Sequence, residues 1–286
     1  MKNVYIALVA CLLFGEPAAF AQPAPPGTDG VVRLYELILR DGSRLFGSIE
    51  HQSDASVEFR TPSGTLVTAK RTEIESLKEI TGSLVDGEFL RSDPNVTRLF
   101  FGPTGRSLQK GQGYLGVYGL FVPFVQYGLT DRISLGGGTP LIFGIDEEDR
   151  PFWVTPKVQV LHAGSTDVAV GVMHAFTGGD GKGGVGYVVA TRGSLRGSLT
   201  GGFGVGYAVN GGRARIVMFG GERQVRRNLA FVSENYVWKD GKGIASAGMR
   251  FFGERLSADL AFAVPLGADE TFVFPVVNFV FVFGGN

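Results

Sequence analysis

The sequence predicts an all-β protein: an antiparallel, transmembrane-type β-barrel of about twelve strands preceded by a small β-barrel domain. Three observations carry this. Only six of the 44 glycines precede Thr81, so the chain changes character there. Beyond that point apolar and polar or small residues alternate with a period of two, as in Val154, Val158 and Val160 against Thr155, Lys157 and Gln159. No window approaches the roughly 18 apolar residues of a membrane-crossing helix, so a chain of this kind that spans a bilayer does so with strands.

The first element is a targeting segment. Met1-Lys2, the apolar run from Val4 to Phe14 and Ala19-Phe20-Ala21 before Gln22 have the form of a cleaved secretory signal over residues 1–21. A rival reading takes Leu8-Val9-Ala10-Cys11 as a lipobox that lipidates Cys11, at the cost of an unusually short apolar core. Cys11 is the only cysteine, so cleavage after Ala21 leaves no disulfide and no thiolate metal site. A formal net charge of zero gives no general reason to expect nucleic acid as a partner.

Residues 31–80 divide into five short strands: Arg33 to Leu39, Arg44 to His51, Ser56 to Arg60, Thr65 to Lys70 and Ile74 to Ile80. Asp41-Gly42 and Pro62-Ser63-Gly64 supply turns between them. With its hairpin-like "LRDGSRLFGSIE", this region resembles the Sm-like or SH3-like small barrel, and export would place it in the periplasm. Residues 81–94 form a linker. The stretch "TRLFFGPTGRSLQKGQGY", followed by "YGLTDR", resembles an uncharacterised bacterial family in which an exported small barrel precedes a glycine-rich outer-membrane barrel. The resemblance spans residues 94–138 and implies architecture rather than chemistry.

From residue 95 to 286 the chain parses into segments of about the roughly 9 to 11 residues that a tilted strand needs to cross a bilayer. They are 95–101, 113–129, 132–143, 152–162, 167–177, 184–192, 196–209, 213–224, 228–239, 243–253, 256–265 and 270–283. Pro123 makes the second segment a candidate for a bulge or a break into two strands. Connections alternate between short (130–131, 163–166, 193–195, 225–227, 254–255) and often longer (102–112, 144–151, 178–183, 210–212, 240–242, 266–269). Short periplasmic turns and longer outer loops produce this alternation, with both barrel ends on the periplasmic side.

Lateral surroundings follow from the phases. Gly136-Gly137-Gly138 relieve crowding and permit bending, while Leu135 and Phe143 are expected to meet lipid. Trp153, Tyr187, Tyr207, Trp238 and Phe272, near strand ends, are candidates for interfacial girdles. Phe279, Phe281 and Phe283 resemble the aromatic closing strand that outer-membrane assembly machinery recognises, although Gly284-Gly285-Asn286 follow it.

No catalytic constellation emerges. "GGDGKGG" at 178–184 lacks the Lys-Ser/Thr pair and helix of a phosphate loop, and "GGFGVGY" at 201–207 is period-two glycine in a strand. His162 and His174 fall on apolar phases, which fits an interfacial position. The expected protein is no enzyme and needs no cofactor. Arg132, Lys157, Arg192, Arg213, Arg215 and Arg250 fall on the phase read as inward, against Glu234 and Asp259, giving a net basic lumen. Such a lumen fits a narrow pore for small anionic solutes; equally, the charges pair inside a closed barrel that anchors the N-terminal domain. A soluble periplasmic all-β binding protein is the remaining architecture.

Overall fold

The structure is a computed structural model and describes residues 33–85, 88–141, 150–176, 182–208, 211–268 and 272–284. The signal region and Phe143 lie outside the described residues. The chain separates into two compact units, the second beginning at Asp93.

In the N-terminal unit, strands β1 (Leu34–Leu39), β2 (Arg44–Gln52), β3 (Ser56–Arg60), β4 (Leu66–Lys70) and β5 (Ile74–Ile80) form one antiparallel sheet in the order β4-β3-β2-β1-β5. Leu37, Phe59 and Ala69 are buried on one face, with Leu39, Ile49 and Leu77 packed around them. A hairpin of β6 (Gly82–Val85) and β7 (Glu88–Arg91) stacks Phe89 on Phe46 at 5.1 Å between ring centroids. The five-stranded sheet is open. A short 3-10 turn, Arg71–Glu73, links β4 to β5, and these edge strands share no ladder. The likeness to a closed small barrel therefore rests on strand number and pattern alone.

The second unit is a closed antiparallel barrel. Its strands are β8 (Gly113–Tyr118), β9 (Val122–Gly128), β10 (Ile133–Gly138), β11 (Phe152–Val154), β12 (Lys157–Ala163), β13 (Thr166–Phe176), β14 (Lys182–Ser194), β15 (Gly197–Ala208), β16 (Arg213–Arg226), β17 (Leu229–Val237), β18 (Gly243–Phe252), β19 (Leu256–Leu266) and β20 (Phe274–Phe283). β11 and β12 lie end to end between β10 and β13, because Pro156 lacks the N–H that would continue the ladder. They make one interrupted wall strand, so the wall has twelve, and pairing of β20 with β8 closes it.

Twelve is also the number of segments expected from the sequence, although 113–129 takes its alternative of a break into two strands and 95–101 departs from expectation. Segment 113–129 is a hairpin, turning at Gly119 and Leu120, both at positive φ. Leu120 is the one non-glycine in that conformation among the described residues, and its side-chain type carries no turn signal. Segment 95–101 is no wall strand at all: it lies inside the barrel, with Leu99 and Phe100 fully buried against Val232, Ala261, Ala263 and Val276.

Turns at one end are short, including Gly164–Ser165, Leu195–Arg196 and Arg227–Asn228, and both barrel termini lie at that end. Connections at the other end include the long passage 139–151. Outside, the wall exposes Leu115, Leu135, Val160, Phe203, Leu260, Phe262 and Phe281. An apolar exterior of this extent has no counterpart on an ordinary soluble monomer. Trp153 and Tyr187 do not join it. Trp153 packs inward beside Tyr114 and Phe124, and Tyr187 packs beside Val189 and Met218.

The exterior generates a direct test. Leu260, 53% exposed at the middle of β19, is paired with Met249 and Val277. Leu260→Arg should destabilise the barrel in lipid by about 2–4 kcal/mol, measured by urea unfolding in vesicles. A water-facing site would change by no more than about 0.5 kcal/mol.

Candidate functional site

The stretch "TRLFFGPTGR" folds into a tight extended hairpin inside the lumen. Leu99 N–H donates to Gly102 O at 2.9 Å and Thr104 N–H to Thr97 O at 3.0 Å, with Arg98 bridged to Pro103. Two glycines make this fit possible. A Cβ on Gly102 would strike Met218 and the Tyr236 hydroxyl, and one on Gly105 would strike the backbone of Asp167. A hairpin this short leaves most of its peptide groups without internal partners, and burial would make each orphan costly.

The wall supplies those partners. Glu234 Oε2 accepts from Phe101 N–H and Gly102 N–H, both at 3.0 Å, while the Tyr236 hydroxyl donates to its other oxygen at 2.7 Å. Lys157 Nζ donates to the carbonyls of Thr97, Thr104 and Arg106 at 3.3, 3.4 and 2.6 Å. Thr191 Oγ1 accepts from Gly105 N–H at 2.9 Å, and Asn278 Nδ2 donates to Phe100 O at 3.2 Å. Four wall strands, β12, β14, β17 and β20, thus grip one hairpin.

Arg250 is the centre of charge. Fully buried, it donates to Asp259 at 2.6 Å, to Asp93 at 3.1 Å and to the Leu99 carbonyl at 2.6 Å, and its guanidinium lies 3.6 Å from Glu222. Arg98 of the hairpin pairs with the same Asp259 at 3.5 Å. Arg106, on the following strap, reaches Glu222 at 3.1 Å and Asp167 at 3.7 Å. Asp167 also accepts from Gln159 Nε2 at 2.8 Å and meets His162 Nδ1 at 2.5 Å. Arg250 and Arg106 therefore each face carboxylates from two wall strands, and Arg98 shares Asp259 with Arg250, the arrangement that compensates desolvation.

Of the residues singled out in the sequence, Lys157, Glu234, Arg250 and Asp259 come together around the hairpin. The other four lie elsewhere. Arg132 is in the exposed turn before β10, and Arg192 is on the outward phase of β14 with exposed Val188. Arg213 and Arg215 share the phase of exposed Val217, so the inward residues of β16 are Ile216, Met218, Gly220 and Glu222. This corrects the phase of β16. It was unreadable because Ile216, Val217, Met218 and Phe219 make both faces apolar.

Asp167 and Glu222 were missed. With them, the buried inward side chains of the wall comprise two cations, Lys157 and Arg250, and four carboxylates, Asp167, Glu222, Glu234 and Asp259, among the described residues. The wall by itself is acidic; Arg98 and Arg106 of the inserted segment offset that charge, while Asp93 of the same segment brings one further carboxylate to Arg250. Their signal was the phrase "TRLFFGPTGR" itself, whose two arginines had no assigned partners.

No family model matches the chain, and no curated protein does. Among solved structures, the KdgM porin in complex with disordered oligogalacturonate is similar at 6% identity, covering 61% of this chain and 99% of that one with a TM-score of 0.47. The NanC porin is similar at 8% identity over 62% of this chain and 100% of that one, TM-score 0.43. A loop L8 deletion mutant of OmpT, an outer-membrane protein of Vibrio cholerae, is similar at 10% identity over 88% and 97%, TM-score 0.37.

The buried network predicts a large effect from one substitution. Arg250→Met leaves Asp259 and Asp93 without their shared cation and should cost roughly 3–5 kcal/mol in denaturant unfolding. Adding Asp259→Asn should recover part of that loss, because it removes one of the stranded charges.

Proposed function

We propose that this chain is an outer-membrane β-barrel closed by its own residues 93–109, which anchors the N-terminal sheet on the periplasmic side, and that it is no standing pore. The observation that carries the reading is the spending of the inward charges: Glu234, Lys157 and Arg250 all hold hairpin backbone or its counter-charges. In an open pore such side chains would face water and ions. Outer-membrane residence is supported by closure of the sheet without free edges and by the apolar exterior. The periplasmic side is assigned to the end with short turns, where residue 93 enters the lumen.

Chemistry supports an inert role. Glu234, Lys157 and Thr191, which converge inside, are engaged by hairpin backbone, and His174, outside on β13, shares its hydrogen bond with Tyr207 rather than with a serine nucleophile. Lipid is the partner the exterior meets, and the outer-membrane assembly machinery is the partner that the aromatic strand β20 would engage. Passage of small anionic solutes would require the hairpin to leave, yet the wall it would expose is acidic and favours cations.

Planar-bilayer recording of the full chain tests this. The wild type should give no steady conductance. Removing residues 96–107 should produce cation-preferring steps, and Glu234→Ala with Lys157→Met, which loosens the grip while keeping the hairpin, should produce intermittent ones. Steady anion-selective steps from the wild type, abolished by Arg213→Glu with Arg215→Glu, would overturn the reading. Recovery of folded protein from the periplasm without detergent would overturn the membrane assignment.

A further inference from the structure

We infer that the outward face of β13 to β16, at the long-loop end, carries a binding site for the phosphate group of an anionic outer-leaflet lipid, formed by Arg213 and Arg215 beside Tyr207 and His174. The inference rests on the outer-membrane reading above. Its starting point is register. His174 pairs with Gly184, Gly184 with Tyr207, and Tyr207 with Arg213, so these positions form one row across four strands. Arg215 lies beside Val205 one step inward on the same face.

The row is shaped by a glycine. A Cβ on Gly184 would collide with the Tyr207 ring, so its absence lets Tyr207 lean across β14 to His174. Their side chains share a hydrogen bond of 2.7 Å. His174 also contacts Phe176 edge-on at 4.5 Å, and Phe176 stacks on Phe152 at 4.6 Å. This is a continuous aromatic surface with polar tips, the composition found where a barrel crosses the headgroup region.

Arg213 opens β16, and Arg215 follows two residues later on a face that otherwise displays Val205, Val217 and Phe203. An arginine facing lipid is tolerated near an interface and costly near the midplane. Both residues are exposed, and neither makes an ion pair among the described residues. Lys182, exposed at the start of β14 and paired with Phe176, adds a third cation to this end of the face. Unpaired guanidinium forks at headgroup depth, with a tyrosine beside them, match the oxygens of a phosphate group in charge and geometry.

The test is lipid retention by the full chain, purified in detergent and read by native mass spectrometry after exposure to phosphatidic acid or phosphatidylcholine. The wild type should retain phosphatidic acid in preference to phosphatidylcholine. Arg213→Ala with Arg215→Ala should weaken that retention by about thirtyfold, with the arginine-to-lysine pair intermediate. Arg223→Ala, on the same phase of β16 at its other end, should leave it unchanged. Equal retention by the double alanine variant, no preference over phosphatidylcholine, or full displacement by inorganic phosphate at matched concentration would each overturn the site. Failure of the outer-membrane reading looks different, since the chain would then not insert into bilayers at all.

Discussion

Removing Arg250 from water is the constraint on which the barrel interior depends. A guanidinium without solvent exposure needs carboxylates and carbonyls on every side. Here Asp259 comes from the neighbouring wall strand, Asp93 from the entering chain, Glu222 from β16 and the Leu99 carbonyl from the hairpin. No one strand could provide all four. The ion cluster therefore fixes the hairpin to the wall and fixes where the chain enters, and the apolar packing of Leu99 and Phe100 against Val232, Ala261 and Val276 follows from that placement.

The glycine-rich wall takes its meaning from the same arrangement. A barrel of about twelve strands is wider than its own side chains fill, so its lumen is either open or occupied by an inserted segment. Small inward residues such as Ala169, Ala261 and Ala263, with Gly220 directly against Leu99, leave space for an inserted segment, which then restores close packing. Gly102 and Gly105 make the complementary concession on the hairpin. Small residues on both partners permit backbone to approach backbone, and the polar side chains of Glu234, Lys157 and Thr191 satisfy what that approach buries.

Much of the outer wall was legible. Period-two alternation placed Thr155, Lys157 and Gln159 together, and turn lengths distinguished the two ends. The interior was harder to read for a physical reason: an inserted hairpin makes inward positions apolar, so Ile216 and Met218 resemble lipid-facing residues and the phase of β16 inverts. The hairpin itself imitates a wall strand, because Thr97, Leu99 and Phe101 alternate as a strand would. Arg98 and Arg106 held the available clue. Two arginines within a glycine-bearing apolar phrase require buried counter-charges, which are Asp259 for Arg98 and Asp167 with Glu222 for Arg106.

Hydrogen exchange of the full chain reconstituted in lipid bilayers tests most directly whether the hairpin is an integral part of the barrel. The amides of Phe101, Gly102 and Gly105, bonded to Glu234 and Thr191, should be protected as strongly as those of β17 and β18. Exchange of these three amides at the rate of an unstructured peptide, with the wall strands still protected, would show an empty barrel with a loose internal segment and contradict the account.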